Sequence, residues 1–300
     1  MITSIYISNE NIVIASGKET KTGVMVKSYT AIPLTEGVVI NGMIINEDNI
    51  REKLSKLRKD GIIPKKNIRL VIDRSTALVK FIKIPNLKKD IILEHIKNTF
   101  ADAAQIRDKL VYDYSIINYN GEKNGSYLIL ATAIDRQLIE DYIELFKSAD
   151  IGIKCIDIAL NSIIKFQNHC PSYNSKTFII SFVDADNVFS LLFINGKYSF
   201  SNRCRLVPDR GTPEYSSELS NFLSTIIQFN KSQKSDHDIE YAIFCGFNEN
   251  ETVICDELTE TLGIKVDILR ECPALALNSK IESQKSQIIN NLFVVTNIIN

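Results

Sequence analysis

The stretch Phe178–Ser201, FIISFVDADNVFSLLFINGKYSFS, limits the fold more than any other part of the chain. Phe178, Ile180 and Phe182 alternate with Ile179, Ser181 and Val183, so both faces of a strand here are mostly apolar. Such a strand is buried on both sides, inside a sheet covered by helices. The turn Asp184-Ala185-Asp186-Asn187 returns it to Val188–Ile194, and Asn195-Gly196 signals a second tight hairpin. The N-terminus opens the same way, with Thr3–Ile7, a polar turn Ser8-Asn9-Glu10-Asn11, then Ile12–Ala15. Two halves that each begin with a hairpin point to a duplicated α/β architecture.

The rest of the chain alternates between strand and helix patterns. Val24–Ile32 reads as a strand and Val38–Ile45 as another, broken at Asn41-Gly42. Asn46 precedes a helix over Asp48–Lys59, with Ile50, Leu54 and Leu57 on one face. Ile68–Asp73 and Ala77–Ile84 read as consecutive strands joined by Arg74-Ser75-Thr76, and Ile91, Ile92, His95, Ile96, Thr99, Phe100 and Ala103 mark an amphipathic helix. After strands at Val111–Asn118 and Ser126–Ile134 comes the clearest helix. Its stripe is Leu138, Ile139, Tyr142, Ile143, Phe146 and Ala149, with Gly152 as its stop. Further on, Leu219–Ile227 is helical. Glu240–Leu269 reads strand, helix, strand, and Ile288, Ile289, Leu292 and Phe293 form a last helical stripe. The class is α/β or α+β, and 300 residues make two domains or one large divided domain.

Composition narrows the function classes. At 45% hydrophobic and 24% charged residues the chain can bury a sizeable core, and a net charge of −1 gives no general pull toward nucleic acid or anionic lipid. The start Met1-Ile2-Thr3-Ser4 has no basic segment followed by an apolar one, so no leader is expected. No apolar run approaches the ~20 residues of a membrane-spanning helix. Six cysteines are scattered without a CxxC pair and are expected as packed free thiols in a reducing compartment. The phosphate-binding GxxxxGK[ST] and GxGxxG, the nucleophile-elbow GxSxG and the zinc-binding HExxH motifs are missing. His95 is expected to pack on the apolar side of its helix, and Lys53–Lys66 to form a solvated face. Asp184 with Asp186 reads as turn chemistry before it reads as a cation site, and Tyr112, Tyr114, Tyr119 and Tyr127 as cross-strand packing.

Several segments, read together, resemble the PilM family of type IV pilus assembly proteins, actin-like relatives of the division protein FtsA. These are Glu36–Gly42 (EGVVING), Ala77–Pro85 (ALVKFIKIP), Tyr112–Ile117 (YDYSII), Leu128–Phe166 and Glu240–Leu269. The resemblance implies an actin-like fold of two ribonuclease-H-like halves around a nucleotide cleft. Residues 1–34 and 151–175, completed by a C-terminal helix over 285–299, would form the first half. Residues 35–150 would be an FtsA-type inserted subdomain, and residues 176–284 the second half. The helical excursion that the family carries in that half is mostly missing, because Arg205–Tyr215 passes almost directly from strand to helix.

The family's nucleotide loops resemble D-x-G-S-S-S, D-x-G-A-T-T and G-G-G, and this chain departs from all three. In the first, Tyr6 and Ser8 stand for the aspartate and glycine, with Asn9 and Asn11 following. In the second, Phe182 and Asp184 stand in those places, with Asp186 and Asn187 following. At the third, Gly246 remains but is followed by Phe247 and Asn248. Tyr and Phe cannot organise Mg²⁺ and water. A carboxylate at Asp184 repels phosphate, and Phe247 is expected to obstruct the base.

From these departures the chain is expected to be a pseudo-ATPase, with no catalytic residues, no metal and no bound ATP or Mg²⁺. The resemblance then implies a cytoplasmic scaffold on the inner face of the plasma membrane, held there only through partners. It would bind the cytoplasmic tail of a PilN-like membrane protein in a groove between core and inserted subdomain, near Tyr6, Asn9, Val79, Phe81 and Lys83, and connect it to the pilus motor ATPases. Alternatives are an active actin-like ATPase, the cytoplasmic part of a GspL-type secretion protein, and a ribonuclease-H-like enzyme. The last would need a carboxylate cluster where Tyr6 and Phe182 stand.

Overall fold

The computed structural model describes residues 1–40, 43–73, 77–100, 109–118, 126–233 and 237–299. Strands β1 (Ile2–Ile7), β2 (Asn11–Thr20) and β3 (Gly23–Pro33) come first, then short β4 (Val39–Ile40) and β5 (Met43–Ile44) and helix α1 (Glu47–Lys59). Next are β6 (Ile68–Ile72), β7 (Leu78–Pro85), α2 (Lys89–Thr99), β8 (Leu110–Asn118), β9 (Ser126–Asp135) and α3 (Arg136–Ser148). They are followed by β10 (Ile153–Ile158), α4 (Ala159–Asn168), β11 (Phe178–Asp184), β12 (Asn187–Ile194), β13 (Lys197–Arg205) and α5 (Pro213–Ser232). The chain closes with β14 (Tyr241–Cys245), α6 (Thr252–Leu262), β15 (Lys265–Ile268), β16 (Leu275–Leu277), α7 (Lys285–Asn290) and α8 (Leu292–Thr296). The Asn41-Gly42 and Arg74–Thr76 connections, Ala103 and Tyr119 lie outside the described residues.

The chain divides into two compact units. The first holds residues 1–46, 67–72 and 155–300, and contains two sheets of related design. One has the order β10-β6-β1-β2-β3-β16, the other β13-β12-β11-β14-β15. In each, a three-strand antiparallel meander is extended by a parallel strand beside its first member: β6 beside β1, β14 beside β11. That repeat is the duplication announced by the two hairpins. Phe178 to Val183 are all buried, as a strand apolar on both faces requires. One face packs Ile179, Leu192 and Phe244 against Leu219 and Leu223 of α5 and Leu258 of α6. Thr212 caps α5 by accepting the Tyr215 amide, with Pro213 in the first turn, and Gly263 ends α6 in the left-handed conformation.

The first sheet carries a buried cation. Arg69 of β6 is 6% exposed and donates from Nη1 to the carbonyls of Asn297 (2.9 Å) and Ile299 (2.7 Å). A guanidinium presents several donors in a fixed fork, so one side chain satisfies two of the carbonyls left open just past α8.

The second unit comprises residues 47–66 and 73–154. Its sheet has the order β7-β9-β8. Ile84, Ile129 and Leu110 pack with Ile92, Ile96 and Phe100 of the α2 segment. Asp135 caps α3 by accepting from the amides of Gln137 and Leu138.

Four expectations need correction here. The inserted subdomain is not 35–150, since residues 35–46 and strand β6 belong to the first unit. β6 lies between β1 and β10 and is buried throughout, whereas β7 pairs with β9 in the second unit's sheet. Helix α3 stops at Asp150, whose φ of 58° takes the left-handed role expected of Gly152. Asn and Asp tolerate that conformation best after glycine. The stripe of α3 keeps Tyr142, Phe146 and Ala149 buried but takes in Leu145 in place of Ile143, which is 44% exposed. His95, finally, faces outward rather than packing in the core.

Candidate functional site

The two hairpin turns of the first unit meet at one place. Tyr6, near the end of β1, donates its hydroxyl to Asp184 Oδ2 at 3.2 Å. Phe182, near the end of β11, lies on the matching strand of the second sheet. Between them sits Phe293 of α8. Its ring centroid is 4.9 Å from Tyr6 and 5.5 Å from Phe182, both at near-perpendicular tilt. Edge-to-face contacts of this kind are favoured by the ring quadrupoles. All three rings are buried, at 5–6% exposure. The two positions at which the family's loops would carry aspartate are therefore bridged by a third aromatic from the C-terminal segment.

The first loop satisfies its own amides. Ser8 is buried, and its Oγ accepts from the backbone N–H groups of Glu10 (3.1 Å) and Asn11 (2.9 Å). Its own N–H donates to the Asn11 carbonyl at 2.8 Å. Backbone N–H groups left open in a turn are what make an anion-binding nest, and here a serine side chain occupies two of them. Asn9 sits half-buried at the tip. In the second loop Ala185 takes the left-handed conformation (φ 54°), Asn187 Nδ2 donates to Asp186 Oδ1 at 2.8 Å, and Arg205 pairs with the other Asp186 oxygen. The carboxylates of Asp184 and Asp186 are thus engaged by Tyr6 and by Arg205.

The third position is locked as well. Gly246 has φ 100°, and a Cβ there would lie 2.1 Å from the Val183 carbonyl oxygen, so the backbone demands glycine. Its N–H donates to Asn290 Oδ1 (3.0 Å), and its carbonyl accepts from Arg210 Nη2 (2.6 Å). Asn290 Nδ2 also reaches the Phe247 carbonyl at 3.4 Å. Arg210 is held by Glu251 at 2.6 Å, and the Glu251 carboxylate also takes the Asn248 N–H at 2.8 Å.

Phe247 departs from its expected role. It is fully buried, stacked on Phe244 at 4.8 Å within the core of the second sheet. Its ring lies within the core rather than projecting from the loop. The segment after Gly246 turns inward because a phenylalanine there gains more from the core than from water.

Of the positions expected to meet a partner peptide, Tyr6 and Asn9 belong to the first unit. Val79, Phe81 and Lys83 belong to β7, an edge strand of the second unit's sheet. Val79 and Phe81 are half-buried and Lys83 is exposed. They share the face opposite Ile82 and Ile84, which pack toward α2. Sequence reasoning missed Phe293, Asn290 and Arg210. Phe293 was visible as part of a helical stripe, but nothing local says that the stripe returns to the two hairpins.

Comparisons with known proteins agree with this architecture. The model of the family described as type IV pilus assembly protein PilM matches residues 4–190. No curated protein matches the sequence. Among solved structures, a PilM–PilN type IV pilus biogenesis complex superposes with a TM-score of 0.80 at 12% identity, covering 99% of this chain and 97% of that one. A Bacteroides thetaiotaomicron protein with an actin-like ATPase fold and unknown function gives 0.56 at 13% identity, covering 95% and 94%. The ethanolamine utilization protein EutJ from Carboxydothermus hydrogenoformans gives 0.53 at 8% identity, covering 98% and 89%. The fold is actin-like.

Proposed function

The chain belongs to the type IV pilus assembly protein PilM family, and from that premise we propose that it is a pseudo-ATPase adaptor of pilus assembly. It binds the cytoplasmic tail of a PilN-like membrane protein, sits beneath the membrane through that partner, and links the membrane subcomplex to the pilus motor. Among the described residues no helix is long and apolar enough to cross a membrane, which accords with attachment through a partner.

The observation that carries the pseudo-ATPase reading is the Tyr6–Phe293–Phe182 bridge between the two hairpins. Mg-nucleotide needs open loop amides and carboxylates free to hold water around the metal. Ser8 takes two of those amides, and the Asp184 carboxylate takes the Tyr6 hydroxyl. The residues do not fit the ligand, and no hydrolytic step is assigned to them. For the partner, an extended tail would add main-chain hydrogen bonds at β7, with Val79 and Phe81 offering apolar contact.

Calorimetric titration of the full chain with Mg-ATP, and separately with a synthetic PilN-like tail peptide, tests the proposal. The expected result is no heat and no thermal shift up to millimolar nucleotide, with saturable binding of the peptide. Micromolar ATP affinity would overturn the pseudo-ATPase reading, and a silent peptide titration would overturn the adaptor reading.

A further inference from the structure

Strand β13 is the outermost strand of the second sheet. Among the described residues its ladder runs to β12 alone. An outer strand carries a row of backbone donors and acceptors on its open side, ready to pair with another extended chain. The register says which residues supply them. Cys204, Asn202 and Phe200 stand opposite Val188, Ser190 and Leu192, and the Leu206 amide donates to the Asp186 carbonyl at 2.7 Å. In an antiparallel ladder each residue turns both backbone groups to one side, and the sides alternate along the strand. Ser201, Arg203 and Arg205 therefore turn theirs outward. The Arg203 amide is taken by Asn202 Oδ1 at 2.9 Å, and those of Ser201 and Arg205 face the open side.

Side chains on both faces fix this edge in place. On one face Phe200 stacks on Phe229 of α5 at 4.1 Å, and Asn202 Nδ2 donates to Thr225 Oγ1 at 3.4 Å. On the other, the Arg203 guanidinium lies 3.5 Å from the centre of the Phe189 ring, and Asp186 engages Arg205 through Nε. The two arginines thus stand two residues apart on one face, beside the outward backbone groups. The Arg205 side chain is 64% exposed. A guanidinium presents five donors, so pairing through Nε leaves donors for a second carboxylate.

Charge selects what can add. β13 reads KYSFSNRCR, with three basic residues and no acidic one. A second copy pairing about a two-fold at Arg203 would set that residue against itself, and about Ser201 would set Lys197 against Arg205. Like charges directly opposite one another destabilise a strand pair, whereas opposite charges support it. The charges that repel another β13 attract an acidic strand. We propose that the outer edge of β13 is a strand-addition site for an extended acidic segment of a partner protein, with carboxylates at alternate positions set opposite Arg203 and Arg205. Main-chain hydrogen bonds at Ser201 and Arg205 supply affinity, and the two guanidiniums supply the choice of sequence. This site does not depend on the tail site at β7, which belongs to the second unit.

Fluorescence anisotropy of a short labelled peptide of alternating glutamate and valine, titrated with the full chain, tests the proposal. The expected result is saturable binding that weakens with added salt, with slowed amide exchange in the β13 segment and no binding of the lysine–valine counterpart. Ser201→Pro removes an N–H that faces away from β12, so the ladder keeps its bonds. With its circular dichroism spectrum unchanged, this variant loses binding by at least about tenfold. Arg205→Gln, at an exposed position, weakens it by about 3–10-fold. No saturation at low salt, equal binding of the lysine peptide, or binding unchanged by both variants would overturn the proposal. So would displacement of the acidic peptide by the PilN-like tail peptide, which would put both on one site. A dimer in sedimentation velocity that Ser201→Pro dissociates would overturn the choice of occupant.

Discussion

Replacing Phe293 by alanine isolates what joins the two hairpins. The ring is 5% exposed and makes two edge-on contacts, with Tyr6 and with Phe182. Truncating a buried phenylalanine costs about 3–5 kcal/mol through lost transfer energy and the cavity left behind. Within that sum, each aromatic pair contributes about 0.5–1.5 kcal/mol beyond area burial. Phe293→Leu keeps most of the burial and loses both pairs, so its cost is about 1–3 kcal/mol. Urea unfolding followed by circular dichroism reads both variants. A cycle with Phe182→Leu separates the pair, with an expected coupling of about 0.5–1.5 kcal/mol. A Phe293→Ala cost below ~1 kcal/mol, or a coupling indistinguishable from zero, would show that the bridge is incidental packing. Removing the ring is not expected to create nucleotide binding, because Ser8 still occupies the loop amides and Asp184 still presents negative charge.

Two smaller perturbations follow from the same geometry. Gly246→Ala forces a Cβ to within 2.1 Å of the Val183 carbonyl oxygen at a φ of 100°, so a loss of about 2–4 kcal/mol is expected in chemical denaturation. A change below ~0.5 kcal/mol would refute the strain argument. Glu240 is held below its ordinary carboxylate value of 4.5 by a hydrogen bond from Lys176 and then by the Thr177 amide. A depressed folded-state pKa stabilises above the unfolded value, and that contribution disappears as pH falls through the folded one. Tm of the parent chain should therefore drop more steeply than that of Glu240→Gln on acidification below pH 4.5, by only ~1–2 °C because the pair is exposed. Parallel curves would remove Glu240 from the acid transition.

What was legible in the sequence is what local physics dictates. Phe178–Val183 announces a strand buried on both faces because five of its six residues are apolar, and Ile50, Leu54 and Leu57 announce the face that α1 buries. The sheet to which β6 belongs was not legible. Ile68–Ile72 and Leu78–Pro85 both read as strands, and nothing in either says that the first lies beside β1 while the second pairs with β9. The site shows the same division. Tyr6, Ser8, Phe182 and Asp184 stand out against the family's loops, so a proposal against nucleotide binding can be argued from residue types alone. How the space is then used cannot, because the bridge is completed by Phe293 and the glycine is held by Asn290, both far away in the chain. Asp184 illustrates the difference. As a residue type it is a repulsive charge, whereas in place it accepts a hydrogen bond from the tyrosine that stands where the first loop's aspartate would be. The two departures from the family pattern therefore satisfy each other. Replacing Tyr6 alone by aspartate would set two carboxylates side by side with no hydroxyl between them, so a gain of magnesium binding is expected only when both loops are changed together.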